Sequence, residues 1–394
     1  MAPTPRFKSN SGPALFSAGF RPFFLFGALY AGVAIALWLP EYFGEIRIET
    51  AFSPRDWHMH EMLYGYVAAV ITGFLFTAIP NWTGRLPLQG GPLIGLTFLW
   101  LAGRLAVASS AIIGGWLAAA IDSAFLLVVI AAAARELSHG TQKHNMRVLV
   151  AVLMFLLGNV VFHVEALIEG SADYGTRIGL AGALILIMLI GGRIVPSFTR
   201  NWLARENPGP LPASPGRFDL AAIVIAALAL LAWIAAPETR ATGLALLLAG
   251  ALHAIRLVRW RGYRTWRDRL VLVLHMGYLF IPLGFVVTGL AAFGLSPSSA
   301  GAHLWTIGAI GTMTLAVMTR VSLAHTGRAL VASPAAQAVY VLVVAAAIAR
   351  ACAAIDPLWS EVLLFVSGGA WIAAFVGFAL AYWTILTGPR RAGR

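Results

Sequence analysis

Between Phe52 and Tyr66 the chain reads FSPRDWHMHEMLYGY, which sets Asp56, His58, Met59, His60, Glu61 and Met62 within seven residues. Imidazole suits iron, copper and zinc, and thioether favours Cu(I), so these side chains are a natural supply of transition-metal ligands. The next residues, AAVITGFLFTAI, are apolar, so the donors stand at the mouth of an oily helix. Successive helical residues turn by about 100°, so His58 and His60 project about 200° apart and cannot both face one small site in a regular helix. His58 shares a face with Glu61 and Met62, and His60 shares one with Asp56 and Tyr64. Two arrangements stay open: one histidine ligates while the other packs or caps, or the pair serves two sites. Pro54 could also delay the helix and release His58.

The elements that carry these donors follow from composition. The 394 residues are 59% hydrophobic and 11% charged, with a mean hydropathy of +0.81. A soluble domain carries about one-quarter charged residues. An all-α polytopic membrane protein is therefore expected. A bilayer core of roughly 30 Å takes about 20 apolar residues per helix. On that length about twelve spans are read near 20–40, 57–79, 92–110, 113–134, 146–168, 177–198, 219–236, 241–258, 269–293, 301–320, 335–355 and 360–386. With no long linker, residues 1–394 read as a single membrane domain, with a short segment 1–19 before the first span and a tail 387–394 after the last. The N-terminus shows no compact apolar stretch ending in a small-residue cleavage site, so the first span is expected to stay.

The net charge of +12 is unevenly placed. Alternating the loops between two sides gives one side most of the arginines, from Arg21 and Arg85 through Arg200, Arg256 and Arg320 to Arg391. The other side collects acids such as Glu41, Glu49, Asp173 and Glu361. Lys and Arg favour the cytoplasmic side, so both termini are expected there. The segment RLVRWRGYRTWRDR, from Arg256 to Arg269, interleaves arginine with aromatics. A short cytoplasmic loop with aromatics at headgroup depth explains it, and no nucleic-acid partner is implied.

Topology converts histidine positions into depths. His58, His60, His163 and His303 share one outer layer; His253, His275 and His325 lie toward the inner side, and His139 and His144 read as solvated in a basic loop. Ionisable residues inside spans are functional hypotheses by default. Four imidazoles at one depth point to haem or metal ligation by some of them. Arg104 and Asp122 stand about equally far from the turn at 110–115, so a structural ion pair is expected between the third and fourth spans. Cys352 is the chain's one cysteine, inside an apolar run. It excludes a disulfide, a CxxCH haem site and a cysteine zinc site, and reads as core packing. No P-loop, GxSxG or HExxH pattern is present. The second, sixth and tenth spans end on related strings, IPNWTGR, VPSFTRNW and VMTRVSLAHTGR, roughly 115–120 residues apart. That period fits three repeats of four helices.

The strings FSAGFRPFFLFG (Phe16 to Gly27), WHMHEMLYGYVAAVITGFLFTAIPNWTGRLPL (Trp57 to Leu88), GGRIVPSFTRNW (Gly191 to Trp202) and MTLAVMTRVSLAHTGR (Met313 to Arg328) closely resemble the NnrS family. The resemblance implies a bacterial inner-membrane protein holding non-covalent, b-type haem and copper. It also implies a link to nitric oxide and to protection against nitrosative stress. Carried onto this sequence, the matching donors are His58, His60, Glu61, His163, His275, His303 and His325, with Met62 beside them as a further metal donor. The motifs do not divide iron from copper. One departure is Ala324, where glycine would be expected before His325.

Three functions are carried forward. The first is a haem or haem and copper protein that handles nitric oxide. The second is a secondary transporter coupled through Asp122 or His275. The third is an assembly or sensory protein whose histidines only bridge helices.

Overall fold

The structure, a computed structural model, describes residues 12–138 and 147–391, with the side chain of Arg147 outside that description. His139 and His144 lie outside the described residues. Twelve helices are long and apolar enough to cross a membrane, and no strand occurs among the described residues. They are α1 Phe20–Tyr42, α2 Pro54–Thr83, α3 Gly91–Ala108, α4 Gly115–Ser138, α5 Arg147–Ile168, α6 Asp173–Glu206, α7 Arg217–Ala235, α8 Arg240–Arg259, α9 Arg269–Ala291, α10 Ser298–His325, α11 Pro334–Ile355 and α12 Ser360–Thr387. The chain is thus an all-α, multi-pass membrane protein. In such a setting each backbone N–H and C=O must find its partner within the segment, which only a continuous helix supplies.

Local chemistry sets the helix ends. Pro54 opens α2 rather than delaying it: Ser53 caps the helix by accepting the Asp56 N–H at 3.2 Å and donates its hydroxyl to Asp56 Oδ2 at 2.8 Å. Proline suits this first-turn position because its missing N–H would be unpaired anyway. Helix α6 runs two turns beyond the expected end near residue 198, to Glu206. Two helices change pitch inside. A π-helical stretch, Glu61–Val67, begins directly after His60, and a second, Leu304–Gly311, begins directly after His303. Such wider turns inside α-helices occur frequently at functional sites.

The described residues form two compact units. The first comprises the residues up to Gly182 with Val321–Arg328 and the chain from Ala379 onward. In it α1 packs on α2, α2 on α4, and α4 on both α3 and α5. Arg21, buried at the start of α1, donates to the carbonyls of Leu386 at 2.8 Å and Gly388 at 2.7 Å. A cation thus meets the otherwise unpaired carbonyls at the end of α12. The second unit is Ala183–Arg320 with Ala329–Phe378. There α8 packs on α7 and α9, and α10 lies on α9 and α11. Cys352 is exposed on α11, so the sequence reading of a packed core thiol is corrected. Its two neighbours in the chain, Ala351 and Ala353, take the buried face instead.

Candidate metal centre

Helices α2 to α5 bring six polar side chains together inside the first unit. His60 and Glu61 come from α2, Arg104 from α3, Asp122 from α4, and Asn159 and His163 from α5; none is more than 3% exposed. Burial of this much charge is costly unless every group is paired. Arg104 Nη1 donates to both oxygens of Glu61 at 2.7 Å, and Arg104 Nη2 contacts Asp122 Oδ1. Arg104 therefore bridges two carboxylates rather than serving Asp122 alone. From α1, Tyr30 donates its hydroxyl to Glu61 Oε2.

Glycines make the approach possible. A Cβ on Gly65 would stand 2.7 Å from Arg104 Nη1 and 2.9 Å from Glu61 Oε2, and one on Gly103 would stand 3.0 Å from Asp122 Oδ1. Trp100 Nε1–H closes the same wall by donating to the Gly65 carbonyl at 2.9 Å.

The hydrogen bonds orient the donors. His60 Nδ1 lies 2.8 Å from Glu61 Oε1, so that nitrogen carries the proton it gives to the carboxylate. A carboxylate behind one ring nitrogen is the usual arrangement for a metal-ligating histidine, whose other nitrogen faces the ion. His60 Nε2 faces Asp122 Oδ2 at 3.3 Å, and His163 Nε2 faces the same oxygen at 3.0 Å. One donor atom from each of these three residues lies within 4.8 Å of the others. With metal–ligand bonds of about 2.0–2.2 Å, neighbouring donors around one ion sit about 3 Å apart. The contacts of 3.3 and 3.0 Å to Asp122 already match that spacing, so the three form a candidate site for a single small cation.

Charge points the same way. Glu61 and Asp122 contribute −2 and Arg104 +1, which leaves −1 inside the helices. Asn159 closes the cluster: its amide Nδ2 donates to Asp122 Oδ2 at 2.8 Å, and its Oδ1 stands 3.0 Å from His60 Nε2. A metal cation among these groups would balance the remaining negative charge.

A haem does not fit at His60. Its ring is walled by His163, Phe162, Phe52 and Tyr64 at centroid distances of 4.8, 5.1, 5.4 and 5.5 Å. Its nitrogens are faced by Glu61 on one side and by Asn159 and Asp122 on the other, where a haem iron would have to stand.

The other sequence-predicted donors lie elsewhere. His58 points away from His60, as the helical turn requires, and stacks on Trp38 of α1 with centroids 4.2 Å apart. Met62 is half-buried. His325 packs against Phe20 at 5.8 Å. Two donors belong to the second unit. His275 Nε2 pairs with the Thr199 hydroxyl at 2.8 Å, and its ring lies so close to Gly262 that a Cβ there would collide with it. His303 donates Nδ1–H to the Ser299 carbonyl at 2.6 Å.

A second buried network also occupies that unit. Arg256 donates to Asp219 at 3.0 Å, to the Met188 carbonyl at 3.0 Å and to Tyr278 Oη at 2.7 Å, and His253 Nδ1 pairs with the same phenol at 2.8 Å. Asp219 also faces Arg259 at 3.8 Å, so this network carries no surplus negative charge and calls for no added cation.

Sequence reasoning took Asp122 as a structural partner, and the structure also places it between the two histidines. Asn159 and Tyr30 went unnoticed. Asn159 carried a signal, since it stands four residues before His163 on the same helical face of a span. Tyr30 carried none: a tyrosine in a span is ordinary.

No curated protein matches the sequence significantly. The family model for NnrS protein matches residues 14–390. The match covers nearly the whole chain, including every helix that builds the buried cluster, and the protein therefore belongs to the NnrS family.

Proposed function

We propose that this protein is a bacterial inner-membrane metalloprotein of nitric oxide handling or nitrosative-stress protection, with both termini cytoplasmic. Its metal centre is His60, Asp122 and His163. The observation that carries the reading is the uncompensated negative charge beside two imidazoles aimed at one carboxylate oxygen. Two nitrogens and one oxygen suit a first-row divalent ion such as Cu(II). When bound, such an ion supplies a redox-capable centre to which nitric oxide can coordinate. The chain's residues do the rest: Glu61 fixes the tautomer of His60, Arg104 fixes Glu61, and the aromatic wall excludes water. For the haem that the resemblance implies, His303 is the candidate ligand, since imidazole suits haem iron and its ring is oriented by the Nδ1–H bond to the Ser299 carbonyl.

The test is metal analysis and an optical spectrum of protein purified in detergent from cells with ample haem and copper. Metal is expected at one equivalent in wild type and in His58→Ala, and lost in His163→Ala and Asp122→Asn. The Soret band is expected to fall in His303→Ala. A metal-free wild type would remove the centre.

The buried Asp122 carboxylate inside a span favours a second reading, a proton-coupled transporter working through the same cluster. Substrate-coupled proton flux in proteoliposomes, lost in Asp122→Asn while the metal-free protein stays folded, would support it.

A further inference from the structure

A cavity of about 260 Å³ lies within the second unit, where α6 ends, α9 begins and α10 approaches its end. Its wall is built from two of the three related span-end strings, VPSFTRNW and VMTRVSLAHTGR, which the metal centre does not use. Arg320 is half-buried in that wall, with its guanidinium 3.9 Å from the centroid of the Phe198 ring. Among the described residues no hydrogen bond or ion pair reaches this guanidinium. Arginine carries five donors in a planar fork that matches phosphate oxygens, so the group is set for an anion that the protein itself does not provide.

The cavity also carries acids. Arg205 and Arg320 are faced by Glu206 and Asp268, so the lining sums to zero formal charge. Neither acid forms an ion pair with either arginine among the described residues. Asp268 uses Oδ1 to cap α9, accepting from Leu270 N at 2.9 Å and Val271 N at 3.2 Å, and this leaves Oδ2 for another donor. Apart from Asn201, the remaining surface is apolar and interfacial: Trp202 lines the cavity, and Val331 at its edge is 71% exposed. Tryptophan at a span end marks headgroup depth.

We propose that this cavity binds one phospholipid of the phosphatidylethanolamine class. The phosphate lies on the Arg320 and Arg205 guanidiniums, the ammonium on Asp268 and Glu206, and the acyl chains run down the apolar edge. A purely anionic lipid would leave the two carboxylates opposed. A neutral, net-zero lining with separated signs selects a headgroup that carries both.

The full chain, purified and delipidated, is offered phosphatidylethanolamine or phosphatidylglycerol in nanodiscs, and bound lipid is counted by native mass spectrometry. One phosphatidylethanolamine is expected to stay with the protein, with at least about tenfold preference over phosphatidylglycerol. Arg320→Gln should reduce retention about tenfold or more, the scale of one charge-assisted contact. Asp268→Asn keeps the helix cap, since asparagine caps as well as aspartate, and should erase the preference between the two lipids. Arg205→Gln, on an exposed residue, repeats the test should Arg320→Gln fail to fold. Equal retention of both lipids by wild type, or unchanged retention in the arginine variants, would overturn the proposal. Displacement of the lipid by millimolar inorganic phosphate would overturn it too, in favour of a free-anion site.

Discussion

His60 Nδ1 and Glu61 Oε1, on adjacent residues of one helix, are 2.8 Å apart. Neighbours at i and i+1 ordinarily point about 100° apart and do not meet. They meet here at the step where α2 passes into its π-helical stretch, Glu61–Val67. The pair turns a local change of pitch into a fixed imidazole: one nitrogen is committed to the carboxylate and the other is aimed at Asp122 and His163.

Glu61→Gln should remove that commitment. Losing a carboxylate behind a ligating histidine costs about 10–100-fold in metal affinity. Titration of metal-depleted protein with copper, read by competition against a chelator, should show a shift in that range, with the Soret band unchanged.

The two histidines of the WHMH string should separate cleanly. His163→Ala and His60→Ala should abolish metal binding at the cluster, whereas His58→Ala should leave it intact. Loss of the stack on Trp38 should cost about 0.5–1.5 kcal/mol of stability, visible as a lower thermal midpoint in detergent.

Gly65→Ala introduces one methyl group where Arg104 Nη1 and Glu61 Oε2 already stand within 3 Å of its position. Forcing atoms into a packed core costs about 1–3 kcal/mol. The variant should be less stable and should bind metal more weakly. Gly44→Ala, where nothing lies within 4 Å, separates this from a general glycine effect. Gly44 sits at a positive φ of 76°, so the control should lose stability but keep its metal.

The second network offers a structural contrast. Asp219→Asn leaves Arg256 buried without its carboxylate, a loss of about 3–5 kcal/mol. Stability should fall while the metal content of folded protein stays at the wild-type level.

Much of this organisation is legible in the sequence. The span count and most boundaries follow from hydropathy, because a bilayer sets helix length. Extensions such as α6 to Glu206 escape it, since a helix can continue past the apolar slab. The opposition of His58 and His60 follows from helical geometry alone, but which of them turns inward depends on Trp38 and on Asn159, both distant in sequence. Equal spacing from a turn brings Arg104 to the level of Asp122. That Glu61 shares the same guanidinium requires the packing of α2 on its neighbours, which no periodicity records. The π-helical stretches are equally silent, because their apolar residues satisfy an ordinary helical pattern. Exposure of Cys352 escapes composition as well, as an apolar run looks alike on its inward and outward faces.

The cluster at His60, Asp122 and His163 has side chains only 0–3% exposed. An ion there has no direct route to bulk water once the surrounding rods have closed. Loading and exchange are then limited by how often the scaffold breathes. Mature protein should thus resist stripping by chelators for far longer than its equilibrium affinity alone would dictate.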